Sequence, residues 1–88
     1  MVYRSALGLA WVQETEYVRI VDPATGAAHV LTGPEAVVWD WLNSGHTGAE
    51  AASLLALTYD LAEAEARARL VHLLARWQVA GLVEAGRG

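Results

Sequence analysis

Three helix-opening signatures divide the second half of the sequence and constrain its fold more than any other feature. Thr32-Gly33-Pro34-Glu35 has the form of a capping box. In that motif the threonine hydroxyl accepts from a first-turn amide and the glutamate reaches back to the cap, while Pro34 sits where no helical donor is lost. Thr47-Gly48-Ala49-Glu50 repeats the form, and Asp60-Leu61-Ala62-Glu63 is an acidic variant of it. The first helix is expected to run to about Asn43, ended by Ser44-Gly45, and the second to about Thr58. The third runs to Ala80 and closes at Gly81, where a left-handed cap costs little. At 1.5 Å per residue this last helix is roughly 30 Å long.

Ahead of the helices the pattern changes to alternation. Leu7, Leu9 and Trp11 fall on one face with Gly8, Ala10 and Val12 on the other, and Gln13-Glu14-Thr15-Glu16 ends the run. Tyr17 to Val21 is rich in β-branched and aromatic residues, and Asp22-Pro23-Ala24-Thr25-Gly26 follows as a turn. Ala27 to Leu31 makes a third short strand. The expected fold is therefore α+β: a three-stranded antiparallel meander followed by a three-helix bundle, winged-helix-like. One domain spans residues 1–88, with an ordered core over about 5–84. Leu82 and Val83 return to the core, and Ala85 to Gly88 form a frayed tail.

Composition narrows the function classes. A chain of 88 residues buries only about 60 to 65 per cent of its unfolded surface, so it has little stability margin. Although 55% of its residues are hydrophobic, no stretch approaches the ~18 apolar residues of a membrane span. The N-terminus lacks the cleavage site of a signal peptide, which leads to the expectation of a cytoplasmic protein with its start intact. Cysteine is absent, which removes disulfides, thiolate metal sites and thiol nucleophiles. Six basic residues face ten acidic ones, for a net charge of −4. A phosphate backbone is repelled on average, and neither nucleic acid nor membrane is an expected partner.

Reactive chemistry is equally sparse. His29 lies in a strand, His46 in a loop and His72 on the polar face of the third helix, with no metal-ligand spacing among them. Gly26, Gly33, Gly45, Gly48 and Gly81 are all explained by turns and caps, and none forms a phosphate-cradling run. Glu63 and Glu65 are two apart on a helix and do not face one another. No catalytic residue, metal or cofactor is expected, and the chain reads as a binding module rather than an enzyme.

The core of the helices is read from their stripes. Ala36, Trp39 and Leu42 lie on the first helix, with Val38 and Trp41 beside them. Leu54, Leu55 and Leu57 are the inward set of the second, covered by Tyr59. Leu70, Leu73, Leu74 and Trp77 form the stripe of the third, opposite a polar face of Arg69, His72 and Arg76. Arg67 and Val71 share one flank, four residues apart.

The ordered set Thr25-Gly26-Ala27-Ala28-His29-Val30-Leu31-Thr32, Ala36 with Trp39 and Leu42, Gly45-x-Thr47, Leu54, Tyr59-Asp60, Leu70-x-x-Leu73-Leu74-x-x-Trp77 and Gly81-Leu82-Val83 resembles a known family. It is similar to the pyrroloquinoline-quinone biosynthesis protein D family, the recognition elements for ribosomally made, post-translationally modified peptides. The likeness spans roughly Leu7 to Glu84. It implies a sheet edge and last helix that hold the leader of a precursor peptide as a fourth strand. It also implies a free-standing element like those of lasso-peptide pathways, which present the precursor to a separate leader peptidase or other modifying enzyme. The chain departs from the family in carrying Thr32 where Asn is usual, small residues at Ala27 and Ala28, and a basic Arg69 where many relatives are acidic.

The residues themselves point the same way. The third strand has no strand after it in sequence, and Ala27 to Leu31 carries no lysine, proline or carboxylate to blunt an open edge. The expected peptide-binding set is Ala27, Ala28, His29, Val30 and Leu31 for the backbone edge. Leu70, Val71 and Leu74 form the groove floor, and Arg67 and Arg69 attract peptide carboxylates. Two other functions compete. One is a winged-helix nucleic-acid binder using the second and third helices; the other is an adaptor that docks a folded partner through Trp41.

Overall fold

The computed structural model describes residues 2–6 and 8–86. In chain order these form β1 (Val2–Ser5), β2 (Ala10–Gln13), β3 (Tyr17–Val21), β4 (Ala28–Thr32), α1 (Pro34–Asn43), α2 (Gly48–Tyr59), α3 (Glu63–Val79) and β5 (Val83–Gly86). The chain is α+β with antiparallel sheets, as expected, but the strands make two sheets rather than one. The meander β2-β3-β4 is one, and β1 pairs with β5 in a second, two-stranded ribbon.

That ribbon overturns the reading of the C-terminal segment as frayed from Ala85. Tyr3 pairs with Ala85 and Val2 with Gly86, and Arg4 Nε lies 3.3 Å from a Glu84 carboxylate oxygen. Ala6 N–H donates to the Leu82 carbonyl, and Ser5 N–H to Asn43 Oδ1 at 3.0 Å, so the ribbon is fastened to the end of α1. The partners lie some 80 positions apart, and neither segment alternates strongly enough to announce itself. The first expected strand begins at Ala10 rather than near Leu7, a residue outside those described.

Of the three capping signatures only one forms as written. Thr47 Oγ1 accepts from Glu50 N–H and Glu50 Oε1 from Thr47 N–H, a complete reciprocal box. Thr32 instead stays in β4 opposite Tyr17, and Gly33, at φ 58°, makes the turn into α1 and takes the cap position without a side-chain bond. A side chain is strained at that φ, so glycine suits the corner. Glu35 is displaced by one position from the place a box needs. Asp60 likewise does not open α3. It closes α2 in the left-handed conformation (φ 53°), and Ala62 precedes α3. Gly81 is left-handed just after α3, as expected of a C-terminal glycine.

One core unites the sheet and the helices. Trp39 is fully buried, with Trp11 edge-on at 5.7 Å and Trp77 edge-on at 5.5 Å between ring centroids. Quadrupole attraction favours such T-shaped pairs by about 0.5–1.5 kcal/mol beyond burial. Val18, Ile20 and Leu31 project from the sheet onto this cluster, and Ala66, Leu70, Leu73, Leu74 and Trp77 close it from α3. The three-to-four spacing of that α3 set is why one face of a long helix is buried while the rest stays wet.

Candidate functional site

The exposed side of β4 follows from the hydrogen-bond alternation of the meander. Asp22 N–H donates to the Ala27 carbonyl at 2.9 Å, and Glu14 N–H to the Tyr17 carbonyl at 2.8 Å. Continuing both patterns through the registers makes Ile20–His29 and Val18–Leu31 the hydrogen-bonded pairs between β3 and β4. The N–H and C=O groups of His29 and Leu31 therefore face β3, while those of Ala28, Val30 and Thr32 point away from the sheet. Among the described residues no strand covers that side of β4. The side chains split along the same period: Leu31 is buried and His29 half-buried on the inner face, while Ala28, Val30 and Thr32 are exposed on the outer.

At the Thr32 end this edge runs into a cleft of about 640 Å³, within the usual range of ligand pockets. Its floor is apolar: Val38 of α1, Leu55 of α2, Leu61 of the α2–α3 connection and Leu73 of α3. Thr32, Pro34 and Glu35 form one wall, with Arg69, His72 and Arg76 opposite them on α3, and Tyr59 also lines the cleft.

The residues expected at the site are divided by this geometry. Ala28 to Leu31 lie on the edge strand, whereas Ala27 precedes it, its N–H bonded to Thr25 Oγ1. Leu70 and Leu74 are packed in the core, 3% and 6% exposed. Arg69 borders the cleft. Arg67 and Val71 sit with Ala64 and Ala68 on a shallower outer surface of the helix, and Val71 is 61% exposed. Thr32, Glu35, Tyr59, Leu61, His72, Leu73 and Arg76 were absent from the expected set. The sequence signal for three of them existed, since His72, Leu73 and Arg76 recur with the expected Arg69 at helical spacing on one flank.

Charge in the cleft is paired within the chain. Arg76 Nη2 lies 2.5 Å from Glu35 Oε1, and Arg69 Nη2 lies 2.9 Å from Glu65 Oε1. Arg67 makes no ion pair among the described residues. The α3 surface is thus not the continuous basic face a nucleic-acid-reading helix presents. Away from the cleft, the Thr47 backbone amide and then its hydroxyl hold the Glu50 carboxyl below its ordinary value, opposed by desolvation and helped by nearby His46. Among the described residues no group of acidic or histidine side chains could hold a metal ion, and no helix is long and apolar enough to cross a membrane.

The fold has close counterparts. A solved structure described as lasso peptide synthetase B1 complexed with the leader peptide superposes with a TM-score of 0.87 at 19% identity, covering 97% of this chain and 100% of that one. TbiB1 in complex with the TbiA(beta) leader peptide gives 0.88 at 15% identity, covering 97% and 99%. No curated protein matches the sequence. The family model for coenzyme PQQ synthesis protein D (PqqD) matches residues 18–83, from β3 through α3 to the first residue of β5. The chain belongs to the PqqD family.

Proposed function

We propose that this chain binds the leader segment of a ribosomally made precursor peptide as an additional strand on β4, and presents it to separate modifying or leader-cleaving enzymes. The observation that carries the reading is the uncovered edge of Ala28, Val30 and Thr32 running into an apolar cleft. Strand addition uses such an edge for affinity and alternate side-chain pockets for specificity. Both structural counterparts are described as leader-peptide complexes, and family membership supports the same role.

The energetics require both parts of the site. Edge hydrogen bonds contribute about 0.5–1.5 kcal/mol each, against an ordering cost of about 2–5 kcal/mol for an extended peptide. The ladder alone does little more than offset ordering. Burial of an apolar peptide side chain over Val38, Leu55, Leu61 and Leu73 adds roughly 1.5–3 kcal/mol. In this arrangement Leu70 and Leu74 support the floor from beneath, Arg69 flanks the bound side chain, and Arg67 and Val71 lie off the path.

The winged-helix-like succession of strands and helices serves here as a peptide scaffold in the cytoplasm, and no catalytic group is assigned. The test is calorimetric titration of the purified chain with the N-terminal segment of a precursor peptide encoded beside its gene. Saturable binding that is lost when Val30 becomes proline supports strand addition; absence of binding to any such segment refutes it.

A further inference from the structure

We propose that Glu35 is a specificity-determining residue, which holds Arg76 so that this arginine does not serve as a receptor for peptide carboxylates. The inference rests on the peptide-binding reading above and concerns which side chains the cleft accepts. The geometry is direct. Glu35 stands in the first turn of α1, just past the end of β4, and Arg76 in the last turn of α3. Their side chains meet at 2.5 Å at the border of the cleft, beside the path of a strand continuing past Thr32.

An unpaired arginine there would be a strong carboxylate receptor, because guanidinium and carboxylate form charge-assisted, often bidentate bonds. With Glu35 in place, an incoming carboxylate must displace an existing one and then lie beside it. That is a penalty aimed at acidic peptides, and discrimination is commonly built from such repulsive elements. The second arginine of the cleft offers no alternative, since Arg69 is held by Glu65 at 2.9 Å. The net charge of −4 acts in the same direction at longer range. The site therefore prefers an uncharged side chain at this border.

The pair is partly exposed, Arg76 more than Glu35, so its influence is that of a surface ion pair: a change in selectivity of up to about five-fold. The experiment begins with random peptides displayed on phage and selected on the wild-type chain, keeping those that the Val30→Pro variant rejects. One selected peptide is then made in two forms, with Glu or Gln at the residue following its buried apolar side chain. The Glu-over-Gln affinity ratio is measured at low salt for wild type, Glu35→Gln and Glu35→Gln/Arg76→Gln, with thermal unfolding confirming that each is folded. The ratio rises about three- to five-fold in Glu35→Gln and returns toward the wild-type value in the double variant. An equal ratio in all three proteins overturns the role of Glu35 while leaving strand addition standing. Selection that yields no peptide rejected by Val30→Pro sinks the peptide-binding reading and this inference with it.

Discussion

Replacing Val30 with proline separates strand addition from every other way of using this surface. The Val30 N–H points away from β3, so proline removes no hydrogen bond of the native ladder. Its side chain is 58% exposed, which limits the burial lost. Proline is tolerated on edge strands for these reasons, and the preceding residue, His29, already has the extended backbone that proline requires. The stability cost is expected to stay near 1 kcal/mol, visible as a modest fall in unfolding temperature.

Binding responds more sharply. A peptide carbonyl facing Val30 loses its donor, and the proline ring occupies the space through which the strands must approach to about 4.7–4.9 Å. An unsatisfied group in a desolvated ladder costs about 1–3 kcal/mol, so affinity for the leader should fall roughly 5- to 150-fold. Titration calorimetry measures the loss, and far-ultraviolet circular dichroism checks the fold. Proline at His29, whose N–H faces β3, should instead unfold the sheet. Unchanged leader affinity in a folded Val30→Pro variant would refute the assignment of the binding edge.

Three further outcomes follow from the packing. Leu61→Gln should weaken leader binding by about 1–2 kcal/mol with a smaller change in stability, because Leu61 is half-buried at the cleft floor; calorimetry and thermal unfolding measure the two effects. Trp39→Ala should destabilise the chain by about 3–5 kcal/mol, enough to unfold a domain this small, as intrinsic fluorescence or denaturant titration would register. Thr47→Ala should cost about 1 kcal/mol of stability in chemical denaturation at neutral pH. Because the Glu50 carboxyl is held below its ordinary value, its contribution is present above the unfolded-state pKa and lost as pH falls through the lower folded one. Wild type should thus lose this increment of stability in the acidic range, and the Thr47→Ala variant should show less of that pH dependence.

Much of the fold was legible because it rests on local chemistry. The Asp22-to-Gly26 turn, the Thr47 box and the α3 stripe ending in Trp77 each declare themselves within a few residues. The β1–β5 ribbon did not, because its stability comes from partners at opposite ends of the chain and from the Asn43 side chain. Thr32 and Asp60 misled for a related reason. Both have capping chemistry, but Thr32 was retained by cross-strand pairing with Tyr17 and Asp60 by closing the preceding helix. The open edge was readable from the lack of blunting residues, although a strand does follow in sequence: β5 leaves the edge of β4 open because it pairs with β1. The flank of α3 that meets it was not. Of its polar residues only Arg69 was expected at the site, while His72 and Arg76 read as a polar face alone, and the placement of α1 and β4 turns that face into a cleft wall.

Strand addition is defined by where the leader backbone lies. Isotope-edited nuclear Overhauser spectra of the complex report this directly, through cross-strand contacts between peptide protons and the backbone protons of Ala28, Val30 and Thr32. Strand addition on β4 gives those contacts in an alternating ladder, with peptide side-chain protons near Leu61 and Leu73. Contacts confined to the β2 edge, or to the Arg67 and Val71 surface of α3, would contradict it.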